Sequence, residues 1–182
     1  MEIKCIEEIA SVAAMPIVFG GSETRCFGWF HAAQKPVRGM GVVLCRPAGY
    51  EGTCAYETYT QLAEKLSSAG FAVIRFDYHG TGDSAGSDSD PNRVRAWIDS
   101  TKSAIEEVKR LGGISRISLF GVRLGATLAA VTAAECGGVD SMAMWAPCVT
   151  GKAFARELRA SRSRLSAAAD SSAEDGIEAL GY

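Results

Sequence analysis

The sequence predicts an α/β fold, a mostly parallel sheet with helices on both faces, and three observations predict it. Short apolar runs alternate with longer amphipathic runs between Gly41 and Trp145, the β-α-β-α-β order that crossover connections turn into a parallel sheet. The run Gly41-Val42-Val43-Leu44-Cys45 is apolar without alternation, as a strand covered on both faces must be. Gly121-Val122-Arg123-Leu124-Gly125 joins an apolar run to a helix-like run with glycines bracketing its centre, the composition of a cramped strand-to-helix turn. At 182 residues the chain is one domain by length, and 47% apolar residues is ordinary for a globular protein.

Taken in order, strand-like runs around Ile17–Phe19 and Arg25–Ala32 flank Gly20-Gly21-Ser22, which suits a hairpin. After the Lys35-Pro36 loop comes the strand Gly41–Cys45, then a Pro/Gly loop from Arg46 to Cys54. A helix from about Ala55 to Ala69 puts Tyr59, Leu62, Ala63 and Leu66 on one stripe and stops at Gly70. Phe71–Phe76 is the next strand, and Tyr78–Ser89 a Gly/Ser/Asp-rich loop. The second helix is expected to start with Asp90 as N-cap and Pro91 at the first helical position. Its buried stripe reads Val94, Trp97, Ile98, Thr101, Ile105 and Val108, and Gly112-Gly113 ends it. Strand Ile117–Phe120, helix Leu124–Glu135 and strand Ser141–Trp145 complete the series. From Pro147 the character changes. A basic helix-like run (Lys152, Arg156, Arg159, Arg162, Arg164) precedes an Ala/Ser/Asp-rich stretch from Ser166 to Asp175 and a fresh amphipathic start at Ile177. We therefore expect a core over residues 1–150, and over 151–182 either the start of a set of lid helices or a truncated tail.

Composition excludes several roles. A net charge of −2 with interspersed signs gives no basic footprint for nucleic acid. The apolar run Ile9–Gly20 is about a dozen residues, short of the roughly 18 that a membrane span needs, and the acidic start Met1–Glu8 does not read as a leader, so a cytoplasmic protein is expected. Cys5, Cys26, Cys45, Cys54, Cys136 and Cys148 are scattered without a C-x-x-C pair. Reduced thiols are expected, with no metal site, disulfide framework or cofactor.

The turn Gly121–Gly125 has the frame G-x-S-x-G of a nucleophile elbow, with Arg123 where the serine would stand. The loop Asp77-Tyr78-His79-Gly80-Thr81-Gly82-Asp83-Ser84 follows a strand containing Arg75. It resembles the D-x-x-G-x-G-x-S loop after the fourth strand of α/β-hydrolases of the serine aminopeptidase-like and lipase-like branch. Asp77 and Ser84 are expected to hydrogen-bond loop backbone. Together with Pro47-Ala48-Gly49-Tyr50-Glu51, Arg75-Phe76-Asp77, Arg123-Leu124-Gly125-Ala126 and Trp145-Ala146-Pro147, these motifs resemble the exosortase-system-associated hydrolases, in which the elbow also often reads G-x-R-L-G-A. The resemblance spans roughly residues 17 to 182 and implies a hydrolase of esters, thioesters or amides.

By that resemblance the oxyanion hole falls on the backbone N–H of Leu124 and, by loop register, of Ala48, with Gly49 and Tyr50 in the same loop. The triad itself does not map. A guanidinium stays protonated and cannot attack a carbonyl, and no histidine follows Arg123, since His31 and His79 both precede it. No catalytic residue is therefore assigned. Arg123 has two readings: it binds a carboxylate or phosphate at the pocket mouth, or it pairs with an acid such as Glu51 and plugs the site. Glu51, His79 and Cys148 are candidate cleft-liners, with Tyr50 and Tyr56 beside them. His79 reads as a loop hydrogen-bonder, and Cys54 and Cys148 as packed or idle thiols rather than substitute nucleophiles. Three functions stay open: a family hydrolase with an unrecognised nucleophile; a silent homologue binding an acyl or anionic ligand or a biosynthetic partner; and a shortened product of a longer gene. If the last strands of the sheet are absent, an apolar edge at Ser141–Trp145 is expected, covered by a second copy or by a partner subunit.

Overall fold

In a computed structural model, residues 14–169 are described, with side chains described to residue 160. The strands are β1 (Met15–Phe19), β2 (Cys26–His31), β3 (Met40–Cys45), β4 (Ala72–Phe76), β5 (Arg116–Val122) and β6 (Ser141–Trp145). The helices are α1 (Gly49–Cys54), α2 (Tyr56–Ser68), α3 (Arg93–Gly112), α4 (Leu124–Cys136) and α5 (Gly151–Ala169). Among the described residues one six-stranded sheet runs β1-β2-β4-β3-β5-β6. The hairpin β1–β2 is antiparallel and β2 pairs antiparallel with β4, while β4, β3, β5 and β6 are parallel. The predicted fold class stands.

Strand β3 lies at the centre because its sequence has no polar face to give to water. Val43, Leu44 and Cys45 have no exposed surface. Val43 pairs with Ile74 of β4 and Leu119 of β5, and that row joins Trp97, Ile98, Ile105 and Val108 of α3 and Leu128 of α4 in the larger core. The opposite pleat, with Val42, Leu44 and Val73, packs against Tyr59 and Ala63 of α2. Two-sided burial makes both C-terminal ends, at Cys45 and Phe76, rigid platforms for the loops that follow.

Three expectations are corrected. The stretch expected as loop from Arg46 to Cys54 contains α1. That helix has no 3.6-residue stripe and is held by close backbone packing: Gly52 is buried, with its Cα 'back' against the Pro47 carbonyl, where a side chain would collide (2.5 Å). Asp90 is not the cap of α3. Asn92, with φ 61°, precedes the first turn without a side-chain cap, because the Asp90 carboxylate accepts instead from the Ser87 N–H (2.8 Å) and contacts His79 Nε2 (3.1 Å). Val94, placed on the buried stripe, is 58% exposed; the stripe begins at Trp97, one turn later. The segments Met1–Glu8 and Ile177 onward lie outside the described residues, as does most of the Ser166–Asp175 stretch. Among the described residues no helix is long and apolar enough to cross a membrane. At the sheet edge every residue of β6 is exposed, Trp145 to 70%.

Candidate functional site

The C-terminal ends of β3, β4 and β5 bring three loops together. The loop after β4 is closed by its own polar groups. Asp77 Oδ2 accepts from the Asp83 N–H (3.1 Å), and Ser84 Oγ donates to the Asp77 carbonyl (2.7 Å) while accepting from the Phe27 N–H (2.9 Å). Gly82 turns at φ 53°, and a Cβ there would collide with the Asp77 carboxylate, so both conformation and space require glycine. Arg46, at the end of β3, donates to Asp77 (3.0 Å) and to Thr81 Oγ1 (3.2 Å), tying the two loops. Buried Tyr59 and Tyr78 donate to the carbonyls of Cys45 (3.0 Å) and Arg46 (3.1 Å). Burial is the main reason both phenols are pushed far above the ordinary tyrosine range, so they act as fixed donors.

The turn after β5 is a strained one. Arg123 has φ 55° and ψ −123°, a conformation that side-chain-bearing residues avoid. Its N–H donates to the Trp145 carbonyl (2.9 Å), and its carbonyl accepts from Ala126 (3.2 Å) and Thr127 (3.3 Å) at the start of α4. Packing dictates both flanking glycines. A Cβ at Gly121 would lie 2.6 Å from Ala126 backbone, and one at Gly125 would strike the carbonyl oxygens of Cys45 and Arg46. Helix α4 is thus pressed onto the end of β3, with Leu124 half-buried in its first turn.

The Arg123 side chain reaches two acids. Its Nε donates to Glu51 Oε1 of α1 (3.3 Å), and its NH2 group to Glu157 Oε1 of α5. The hydrogen bond to Glu157 chiefly raises the guanidinium above its already high ordinary value, and the same bond holds the Glu157 carboxyl below the usual glutamate range. Glu51 Oε2 is buried without a partner. Cys148 is buried nearby, its carbonyl accepting from Thr127 Oγ1 (2.9 Å). Burial pushes its thiol up, against the lowering effect of the Arg123 charge, so it stays protonated at neutral pH, the opposite of what a nucleophilic thiol needs.

Other sequence-named residues lie elsewhere in this region. His79 is held by the loop and α3: its ring meets Asp90, its N–H donates to Ser100 Oγ (3.1 Å), and its carbonyl accepts from Trp97 Nε1 (3.0 Å). Ala48 is buried and extended (φ −89°, ψ 164°) at the start of α1, with Gly49 at φ 57° and Tyr50 57% exposed. Cys54 is exposed beside Tyr50, whose phenol its hydrogen bond raises. Sequence reasoning missed Glu157, an acid 34 residues from Arg123. Its signal was there, a lone acidic residue in the basic run from Lys152 to Arg159. Among the described residues no group of three or more His, Cys, Asp or Glu is arranged to hold a metal ion.

A glycine-bracketed residue at positive φ, set between a parallel strand and a helix over it, is the geometry of a hydrolase elbow. A sequence model described as serine aminopeptidase, S33, matches residues 49–173. The chain belongs to this family. The fold of this serine aminopeptidase-family chain is shared with solved structures. An α/β serine hydrolase without lid from Xanthomonas campestris is 20% identical, with a TM-score of 0.57 over 68% of this chain and 57% of that one. A serine hydrolase homologue from Coxiella burnetii is 21% identical (TM-score 0.64; 79% and 68% covered). A Pyrococcus furiosus esterase is 16% identical (TM-score 0.67; 89% and 58% covered). The chain thus spans less than two thirds of the length of the Xanthomonas and Pyrococcus proteins. No curated protein matches it.

Proposed function

We propose that this serine aminopeptidase-family chain is by itself silent toward esters, thioesters and amides, and that its elbow serves as a scaffold turn closed by an arginine. One observation carries this reading: the residue at the elbow is a permanently protonated guanidinium bonded to two carboxylates, Glu51 and Glu157. His79, the histidine nearest in sequence to the elbow, is engaged with Asp90 and α3, and Cys148 carries a raised thiol pKa. Glu157 reaching back over the turn supports reading α5, Gly151–Ala169, as the start of a lid rather than a truncated tail. The subfamily reading, an exosortase-associated pseudoenzyme working in the cytoplasm beside a biosynthetic cluster, rests on the sequence motifs alone.

Hydrolysis of p-nitrophenyl acetate and butyrate tests it. The chain, Arg123→Ser and Arg123→Ala should all match the buffer rate. A measurable rate that Cys54→Ala or Cys148→Ala abolishes would overturn the silent reading. A second reading, binding of a small acyl or anionic ligand, is favoured by the first turn of the 13-residue helix α4 beside Arg123. Acetyl phosphate and short carboxylates should then raise the melting temperature in the wild type and not in Arg123→Ala. If they raise neither, Arg123 is a plug.

A further inference from the structure

The face of the sheet under α2 carries a second chemically distinctive place, lined by none of the elbow residues. Strand alternation sends Phe27 and Trp29 of β2 to that face, and the register sets Trp29 opposite Arg75 of β4. Tyr56, the first residue of α2, closes the other side. The Arg75 guanidinium carbon lies 5.3 Å from the Trp29 ring centroid and 5.2 Å from that of Tyr56, inside the range for cation–π attraction. Arg75 Nε donates to His31 Nε2 (3.3 Å).

Arg75 differs from the other arginine of the same cleft. Arg46 is neutralised by Asp77 at 3.0 Å, whereas among the described residues no carboxylate forms an ion pair with Arg75. Asp83, also at the cleft, is solvent-exposed, where its charge is screened. A half-buried cation with aromatic rings on both sides therefore keeps terminal N–H groups for a planar acceptor. The cleft holds about 150 Å³, the size of a cavity that takes one benzene ring. One uncompensated cation matches a monoanion in charge, whereas a phosphate dianion would keep one charge unpaired.

We propose that this cleft binds a single-ring aromatic carboxylate, its ring against Phe27 and Trp29 and its carboxylate on the Arg75 guanidinium. No residue from Gly121 to Gly125 lines this cleft, and the proposal does not depend on the proposed function. Benzoate titrated into the full chain, followed by calorimetry and saturation-transfer NMR, tests it, with benzyl alcohol, acetate and phenyl phosphate as comparison probes. Benzoate should bind saturably and at least about tenfold more tightly than any of the three. Arg75→Gln should weaken it about tenfold or more, and Arg123→Gln should leave it unchanged. If Arg75→Gln does not fold, Tyr56→Ala decides, since Tyr56 is 48% exposed and its loss spares the core; it should weaken benzoate several-fold. No saturation up to about 10 mM benzoate, wild-type affinity in Arg75→Gln or Tyr56→Ala, equal affinity for a comparison probe, or loss of binding in Arg123→Gln would each overturn the proposal.

Discussion

Replacing Arg123 by alanine and by glycine separates the two things this residue does to stability. Alanine removes both ion pairs but keeps a Cβ at φ 55° and ψ −123°. Glycine removes the same ion pairs and also relieves the backbone. The acids are exposed over much of their side chains, Glu51 to 42% although its Oε2 is buried, and Glu157 to 55%. Each pair is therefore worth only about 0–1 kcal/mol, and the alanine variant should lose about 1 kcal/mol in all. A side-chain-bearing residue in this region costs roughly 1–3 kcal/mol, against roughly 0.5–1 kcal/mol for the extra unfolded-state freedom of glycine. Glycine should therefore be more stable than alanine by about 1 kcal/mol, reversing their usual order in regular structure. With a urea slope of about 2 kcal/mol/M, the unfolding midpoints should separate by about 0.5 M. Tryptophan fluorescence and circular dichroism must agree on each transition for the comparison to hold. A glycine variant at or below the alanine variant would show that the turn is not strained, and the elbow geometry would lose its energetic meaning.

At Gly125, helix propensity alone makes alanine better by about 1 kcal/mol. The rigid carbonyls of Cys45 and Arg46 in the path of a Cβ predict instead a net loss of about 2–4 kcal/mol, and an unchanged urea midpoint would refute the packing account. The carboxyl of Glu157 lies below its ordinary value of 4.5, chiefly through its hydrogen bond to Arg123. Its contribution is thus fully present above that value and lost as pH falls through the lower folded value. The stability difference between wild type and Glu157→Gln should accordingly be larger at neutral pH than well below the glutamate range, and a difference independent of pH would exclude the ion pair as its source. At the sheet edge, Met142 and Met144 of β6 are 39% and 47% exposed, and we expect pairing of two copies or a partner strand there. Light scattering should show concentration-dependent dimer that Met144→Lys disperses, and a monodisperse monomer at micromolar concentration would count against self-pairing.

The sheet was legible because its signals are local. Gly41–Cys45 has no polar alternation, and Gly113 at φ 60° ends α3 where the sequence placed a stop. What failed locally did so through distant partners. Asp90 precedes a proline and looks like a cap, yet its carboxylate is taken by Ser87 and by His79, 11 residues upstream. Helix α1 has too short and too glycine-rich a sequence to show a periodic stripe, and its backbone is set by contact with Pro47. Glu51 and Arg123, read together from the sequence, do meet, whereas the join to Glu157 depends on where α5 folds back, and no spacing rule encodes that. Trp29, Tyr56 and Arg75 come from three separate elements, so their cleft exists only once β2 and β4 are in register.

The glycines of the elbow are demanded by packing whatever stands between them. Gly121 faces the backbone of Ala126, and Gly125 the ends of β3; neither contact involves the side chain at 123. A motif of this kind therefore reports the seating of α4 on the sheet, and the chemistry is a separate property of the central residue. Arg123→Ser would place a hydroxyl on the same turn, but a hydroxyl needs a base within hydrogen-bond reach. The His79 ring is turned toward Asp90, with its N–H and carbonyl fixed by Ser100 and Trp97, and freeing it would break the loop that seals the end of β4. Serine alone should thus give a hydrolase turn without hydrolysis, because the scaffold specifies where a nucleophile sits but not what activates it.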